Sequence, residues 1–153
     1  MDHLNIAKFR SWISNQVSYY DASHDIVHID NVTHHTMKIL QESHVNINDE
    51  IYTACILASL AHDICDKKYV RNTKSKLQTM VTTLERLEFG STIVQMVKNV
   101  VPRISFSKRS REGEPLDLSE NELFIYRVVS DADMLEAMGA TGVVRTYMFQ
   151  AVH

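Results

Sequence analysis

Three short stretches place imidazole and carboxylate groups where packing alone favours apolar side chains. SHDIVHIDNV (residues 23–32) carries His24, Asp25 and His28 within one helical turn. AHDICD (61–66) carries His62, Asp63 and Asp66, at the end of the apolar run IYTACILASL. SDADMLEAMG (130–139) interrupts another apolar run with Asp131 and Asp133. A single histidine on an apolar face is commonly a hydrogen-bonded core residue, and an aspartate at a helix start is commonly a cap. Three such intrusions on three separate helices are a different matter, because the apolar faces of a bundle converge and bring the intruders together. Buried and uncompensated, these groups cost several kcal/mol each, a conflict that a shared divalent cation resolves. Imidazoles with carboxylates and without thiolate suit Mn, Fe, Co, Ni or Zn in an open, hydrolytic site, where positions remain for water and substrate. A closed structural zinc site would call for cysteine.

The elements that must position these groups are helices. The chain of 153 residues has four glycines and two prolines, too few breakers for a turn-rich β architecture. Ile6, Phe9, Ile13 and Val17 recur at helical spacing over residues 4–20. A second helix over about 24–44, with Asp21 or Ser23 as cap, aligns His28, Val32, His35 and Ile39. Asn48 or Asp49 starts a third, running through EIYTACILASLAHDIC and apolar nearly all round, the pattern of a central buried helix. TKSKLQTMVTTLERL forms a fourth, closed by Gly90 as a left-handed cap, and STIVQMVKNVV a fifth, ended by Pro102. SFSKRSREGEPLDLS reads as a long polar loop. Ser119 and Glu122 form a capping box opening a sixth helix, and VVRTYMFQAVH begins another that the chain end interrupts. The expectation is one all-α domain over residues 1–153.

Composition bounds the function. A net charge of -3 gives no basic face for nucleic acid. No stretch approaches the ~20 apolar residues of a membrane span, and the N-terminus lacks a signal-peptide core. Cys55 and Cys65, ten apart on what reads as one helix, would stand roughly 15 Å apart, beyond disulfide reach. The expectation is a cytoplasmic protein with two reduced thiols.

HDIVHIDNV, AHDICD and DADMLEAMGATGVVRT, in that order, resemble the HD-domain superfamily of metal-dependent phosphohydrolases. The likeness is nearest to a bacterial-type subgroup reading HDxxHxxRV, LHDI and DADRLDAxGAxGIxRT, and it extends from about Ser23 to Tyr147. It implies an HD-like bundle of six or seven helices around a single metal site. The ligands it implies are His28, His62, Asp63 and a distal aspartate, Asp133 in preference to Asp131. The metal would be one divalent ion, among Mn, Co, Ni, Fe, Zn and Mg. Asp66, one turn after His62 if the helix persists, takes the place of the acid that positions the attacking water, and Lys67 or Lys68 would neutralise phosphoryl oxygens. The implied activity is hydrolysis of a nucleotide or other small phosphorylated metabolite by metal-activated water, with no membrane or nucleic-acid partner. The chain departs from the subgroup at Asn31 and Met134, where arginines are usual; Lys108, Arg109 and Arg111 of the polar loop are candidates to replace that charge. The departures give an alternative, an HD-fold sensor that binds nucleotide or metal without turnover. A helical interaction protein with buried hydrogen-bond networks is the third class. Relatives in the subgroup commonly continue beyond the point matching FQAVH, so the expectation is either a chain shortened at its C-terminus or a naturally short variant.

Overall fold

In the computed structural model, residues 3–21, 24–43, 45–138 and 142 are described, apart from the side chains of 106–108. The described residues form seven α-helices and no strand: α1 His3–Gln16, α2 Ile26–Glu42, α3 Asp49–Ala61, α4 Thr73–Arg86, α5 Ser91–Val100, α6 Phe106–Glu112 and α7 Glu120–Glu136, with a 3₁₀ turn at Val101–Arg103 after α5. The all-α expectation holds. The expected last helix in VVRTYMFQAVH lies outside the described residues.

α3 is the axis of the bundle. Residues Thr53 to Ala61 are all buried, so the helix has no polar face. It packs against α1, α2, α5 and α7, while α2 and α7 lie along each other. One continuous apolar cluster fills the centre, from Phe9 and Ile13 through Leu57, Met80 and Leu84 to Tyr126 and Val129. Each large side chain buried there contributes about 1.5–3 kcal/mol from removal of apolar surface. No helix among the described residues is long and apolar enough to cross a membrane.

The caps refine the sequence expectations. α2 is capped by Asp25, whose carboxylate accepts from Val27 N (2.9 Å) and His28 N (3.1 Å), rather than by Asp21 or Ser23. Its buried stripe runs His28, Val32, Thr36 and Leu40, leaving His35 and Ile39 half-buried at the edge. Asn48 caps α3, and Ser119 with Glu122 makes the expected capping box on α7. α4 does not end on Gly90. Glu88 takes the left-handed conformation (φ 59°), Phe89 N donates to Leu84 O and Glu88 N to Glu85 O, the paired bonds of a Schellman motif. Gly90 instead precedes α5 with ordinary φ of -56°. The polar loop condenses in part into α6, stopped by Gly113 at φ 76°.

The largest correction concerns α3, which ends at Ala61 rather than continuing through Cys65. His62 to Cys65 form turns, with Ile64 N bonded to Ala61 O and Asp66 N to Asp63 O, each at 3.0 Å. Cys55 and Cys65 are therefore not separated by one straight helix, although both thiols are free. Burial pushes the Cys55 thiol up to about 12 and the Cys65 thiol to about 11, so neither is a thiolate at neutral pH.

Candidate metal centre

The end of α3 delivers His62 and Asp63 to the seam between α2, which carries His28, and α7, which carries Asp133. His28 and His62 Nε2 face each other at 3.2 Å. Asp63 Oδ2 is 3.5 Å from His28 Nε2 and 3.3 Å from His62 Nε2. Asp133 Oδ1 is 3.4 Å and 3.9 Å from the same two nitrogens. One ligand atom each from His28, His62 and Asp133 lie within 4.8 Å of one another, so the described residues contain a group able to hold a metal ion. Asp63 stands beside it through the two imidazole contacts. All four expected ligands are thus brought together.

Asp131 is not among them. Its half-exposed carboxylate accepts from Arg109 Nη1 at 2.7 Å on the outside of α7. Two residues apart on a helix point about 200° apart, and the phase of α7 sends Asp133 inward and Asp131 out.

The donor set fits a cation. His62 Nδ1 lies 2.7 Å from Ser59 O; a carbonyl only accepts, so Nδ1 carries the proton and Nε2 is left to meet a metal. Two nitrogens sharing one cation at about 2.1 Å stand about 3.0–3.4 Å apart, which the observed 3.2 Å matches. Among the described residues, Asp63 Oδ2 and His28 Nδ1 are buried and have no hydrogen-bond partner. Electrostatics tell the same story. Burial disfavours a charged His62, but attraction by Asp63 and Asp133 and the bond to Ser59 override it and raise its pKa to about 9. Burial opposes ionisation of Asp63 as well, yet the facing His62 and His28 hold it well below the usual carboxylate range. Asp133 is lowered too, burial being outweighed by His28 and His62. Without metal, a proton on His62 supplies the positive charge that the cluster attracts.

The centre opens into a cleft of about 570 Å³. Asp66, Lys67 and Lys68 line it, as do Lys74 and Arg111. Because α3 ends at Ala61, Asp66 does not share a helix face with His62. It organises the following turn, Oδ1 accepting from Lys68 N at 2.8 Å, and reaches the cleft wall by that route. Lys67 makes no ion pair among the described residues, and Lys68 Nζ lies 3.9 Å from Asp66 Oδ2. Of the loop cations, Arg111 reaches the cleft. Arg109 is turned away to Asp131 and Glu114, and the Lys108 side chain lies outside the described residues. Lys74 was missed by the sequence reasoning. A signal existed: it stands in the first turn of α4, where the helix dipole disfavours a cation unless negative charge lies nearby.

Asn31 occupies a structural position rather than a substrate-facing one. Its amide donates to Glu136 Oε1 at 2.9 Å, and His35 Nε2 meets Glu136 Oε2 at 3.3 Å, tying α2 to α7 one turn beyond the metal centre. His24 forms part of the cleft wall, with Nδ1 3.0 Å from the Tyr69 hydroxyl and 3.5 Å from Asp21 Oδ1. Burial lowers its pKa despite the carboxylates nearby, so its ring is neutral at neutral pH.

Comparison with known proteins agrees with this architecture. No family model matches the chain. The uncharacterised protein YpgQ of Bacillus subtilis (strain 168) is 24% identical over 143 residues, covering 93% of this chain and 64% of YpgQ, so the chain spans somewhat less than two thirds of that relative's length. A crystal structure of a Lactobacillus plantarum protein from a structural-genomics programme superposes with a TM-score of 0.77 at 19% identity, over 99% of this chain and 65% of that one. The crystal structure of YpgQ in complex with ADP superposes with a TM-score of 0.71 at 23% identity, over 95% of this chain and 67% of that one. At these identities the likeness establishes a shared helical fold.

Proposed function

We propose that the chain is a metal-dependent phosphohydrolase of the HD type, acting on a nucleotide or similar small phosphorylated metabolite. The observation that carries this is one arrangement: two buried imidazole nitrogens 3.2 Å apart, flanked by Asp63 and Asp133, at the floor of a cleft walled by Lys67, Lys68, Lys74 and Arg111. In a chain of net charge -3, that concentration of cations beside a metal site is the electrostatic complement of phosphate. The complex of the structurally similar YpgQ with ADP supports a nucleotide as ligand.

One divalent ion, among Mn, Co, Ni, Fe, Zn and Mg, would be held by His28, His62, Asp63 and Asp133. Bound there, it supplies Lewis acidity toward a phosphoryl oxygen and lowers the pKa of water. The protein's own groups do the rest. Ser59 O fixes the tautomer and orientation of His62. Asp66, on the cleft wall, accepts a proton from the attacking water, and the lysines offset negative charge on the phosphoryl oxygens as the bond to the leaving group breaks.

The test is metal analysis of the purified protein followed by turnover on a nucleotide panel supplemented with Mn, Co or Mg. About one ion per chain and metal-dependent release of phosphate or pyrophosphate are expected. His62→Ala should lose both, whereas Asp66→Ala should keep the metal and slow turnover by about 10²-fold or more. Bound metal without turnover on any nucleotide would establish the sensor instead. Absence of metal, together with ligand binding unchanged in His62→Ala, would eliminate both.

A further inference from the structure

Net charge is an average over a surface, and the average of -3 hides one strongly basic segment. Residues 67–76, which lead from the metal centre into α4, hold five cations and no acid: Lys67, Lys68, Arg71, Lys74 and Lys76. On other faces Arg10, Arg103, Arg109 and Arg127 each meet a carboxylate. Here the side chains of Lys67, Arg71 and Lys74 are exposed and make no hydrogen bond or ion pair among the described residues. The adjoining carboxylate, Asp66, is engaged with Lys68. Cations gathered without counter-charge create a positive potential that attracts a polyanion. An aromatic row borders the segment. Lys76 Nζ donates to Gln16 Oε1 at 2.8 Å, holding the end of α1 against α4. Tyr69 stacks on Tyr20 at 4.1 Å, and Tyr20 meets Tyr19 edge-on at 4.9 Å. Tyr20 is buried and anchors the row, whereas Tyr19 is 60% exposed at its outer end. Lys67, Lys68 and Lys74 also line the cleft, but Arg71 and Tyr19 stand outside it. A mononucleotide at the metal centre accounts for the three lysines and leaves Arg71 and Tyr19 unused.

We propose that residues 67–76 and Tyr19 form a surface that binds the backbone of single-stranded nucleic acid, with one end of the strand leading into the cleft. Phosphates at regular intervals answer the run of cations. An unpaired base stacks on an exposed tyrosine, as a base enclosed in a duplex cannot. A lipid surface suits the segment less well, because none of the exposed large apolar side chains lies within 67–76. The inference rests on the nucleotide reading above for the end of the strand in the cleft; Arg71 and Tyr19 extend the ligand beyond it.

The experiment is fluorescence anisotropy of a labelled oligothymidylate titrated with the Mn-loaded protein at several salt concentrations, beside calorimetric titration with ADP. Four phosphate contacts predict that log K falls by about 3 for each tenfold rise in salt. Arg71→Glu is expected to weaken the oligonucleotide about 10-fold and reduce that slope by about 1. Tyr19→Ala should weaken it about 5-fold with little change of slope, the loss of one stacked base. Both variants should bind ADP as the wild type does, and Lys38→Glu, the same charge reversal at an exposed position of α2, should bind the oligonucleotide as the wild type does. A Lys38→Glu loss equal to that of Arg71→Glu, or ADP affinity falling in step with oligonucleotide affinity in Arg71→Glu and Tyr19→Ala, overturns the inference. Wild type that binds ADP but no oligonucleotide overturns it and leaves the reading under Proposed function standing. Binding to phosphatidylserine vesicles without binding to the oligonucleotide overturns it in favour of a membrane. Failure to bind either ADP or the oligonucleotide overturns the nucleotide reading and this inference together.

Discussion

The seam between α2 and α7 holds two histidine–carboxylate clusters one helical turn apart, and they behave in opposite ways. At Asn31, His35 and Glu136, each carboxylate oxygen faces one donor: Asn31 Nδ2 at 2.9 Å and His35 Nε2 at 3.3 Å. At His28, His62, Asp63 and Asp133, two imidazole Nε2 atoms and two carboxylate oxygens crowd one point, and among the described residues Asp63 Oδ2 has no hydrogen-bond partner. The first cluster is complete as it stands and ties two helices together. The second is balanced only when positive charge enters it. Similar residue types at the same interface thus close on one another in one place and leave a group able to hold a metal ion in the other, and what distinguishes them is donor–acceptor accounting.

The largest expected effect breaks the second cluster. His28→Ala should reduce metal content from about one ion per chain to near zero by elemental analysis, while Glu136→Ala leaves it unchanged. Chelation should follow the same division. Saturating metal at 100 times its dissociation constant stabilises the native state by about 2.7 kcal/mol, so EDTA should lower the melting temperature of wild type and of Glu136→Ala but not of His28→Ala. Next in size, Glu136→Ala should cost about 2 kcal/mol in denaturant unfolding, because the buried Glu136 carboxylate accepts two hydrogen bonds, from half-buried Asn31 and His35, and both are lost.

A smaller effect comes from the far end of α7, where another paired carboxylate tests the rule through pH. Burial alone would raise the Glu122 pKa, but donors from Ser119 and Asn99 hold it below its ordinary value. A carboxylate depressed in the folded state stabilises above its unfolded pKa, and the contribution disappears as pH falls through the folded value. Glu122→Gln should therefore flatten the loss of stability below about pH 4.5 by about 1 kcal/mol in acid titrations followed by circular dichroism. The smallest effect serves as a control away from both clusters. Glu88→Gly should raise stability by about 0.5–1 kcal/mol by relieving the left-handed cap of α4.

Much of the molecule was legible in the sequence because it depends on local pattern. Few breakers and helical periodicity gave the all-α class, Ser119 and Glu122 announced the start of α7, and the run Thr53–Ala61 announced a central helix. His28, His62, Asp63 and Asp133 were identifiable as polar intruders in apolar faces, with a family resemblance to order them. What misled was continuity. A polar ending written as HDIC extends the apolar period of α3 on paper, yet the chain turns after Ala61, and the geometric arguments built on one helix for Cys65 and Asp66 failed with it. Glu88 was hidden because Gly90, two residues on, is the better left-handed residue by type; the C-cap is set by where α4 must stop to pass its chain into α5.

Periodicity and residue chemistry by themselves determined that this chain forms helices and that imidazoles and carboxylates must meet a compensating charge. Only the tertiary structure decided which ones meet. The phase of α7 sent Asp133 inward and Asp131 to Arg109, and the packing of α2 on α7 gave Asn31 to Glu136. The cleft gathered Lys74 and Arg111 from helices distant in sequence. The physical reason is that burial cost is local to a residue, whereas its relief depends on partners whose direction is set by helix phase and crossing, and these are properties of the assembled bundle.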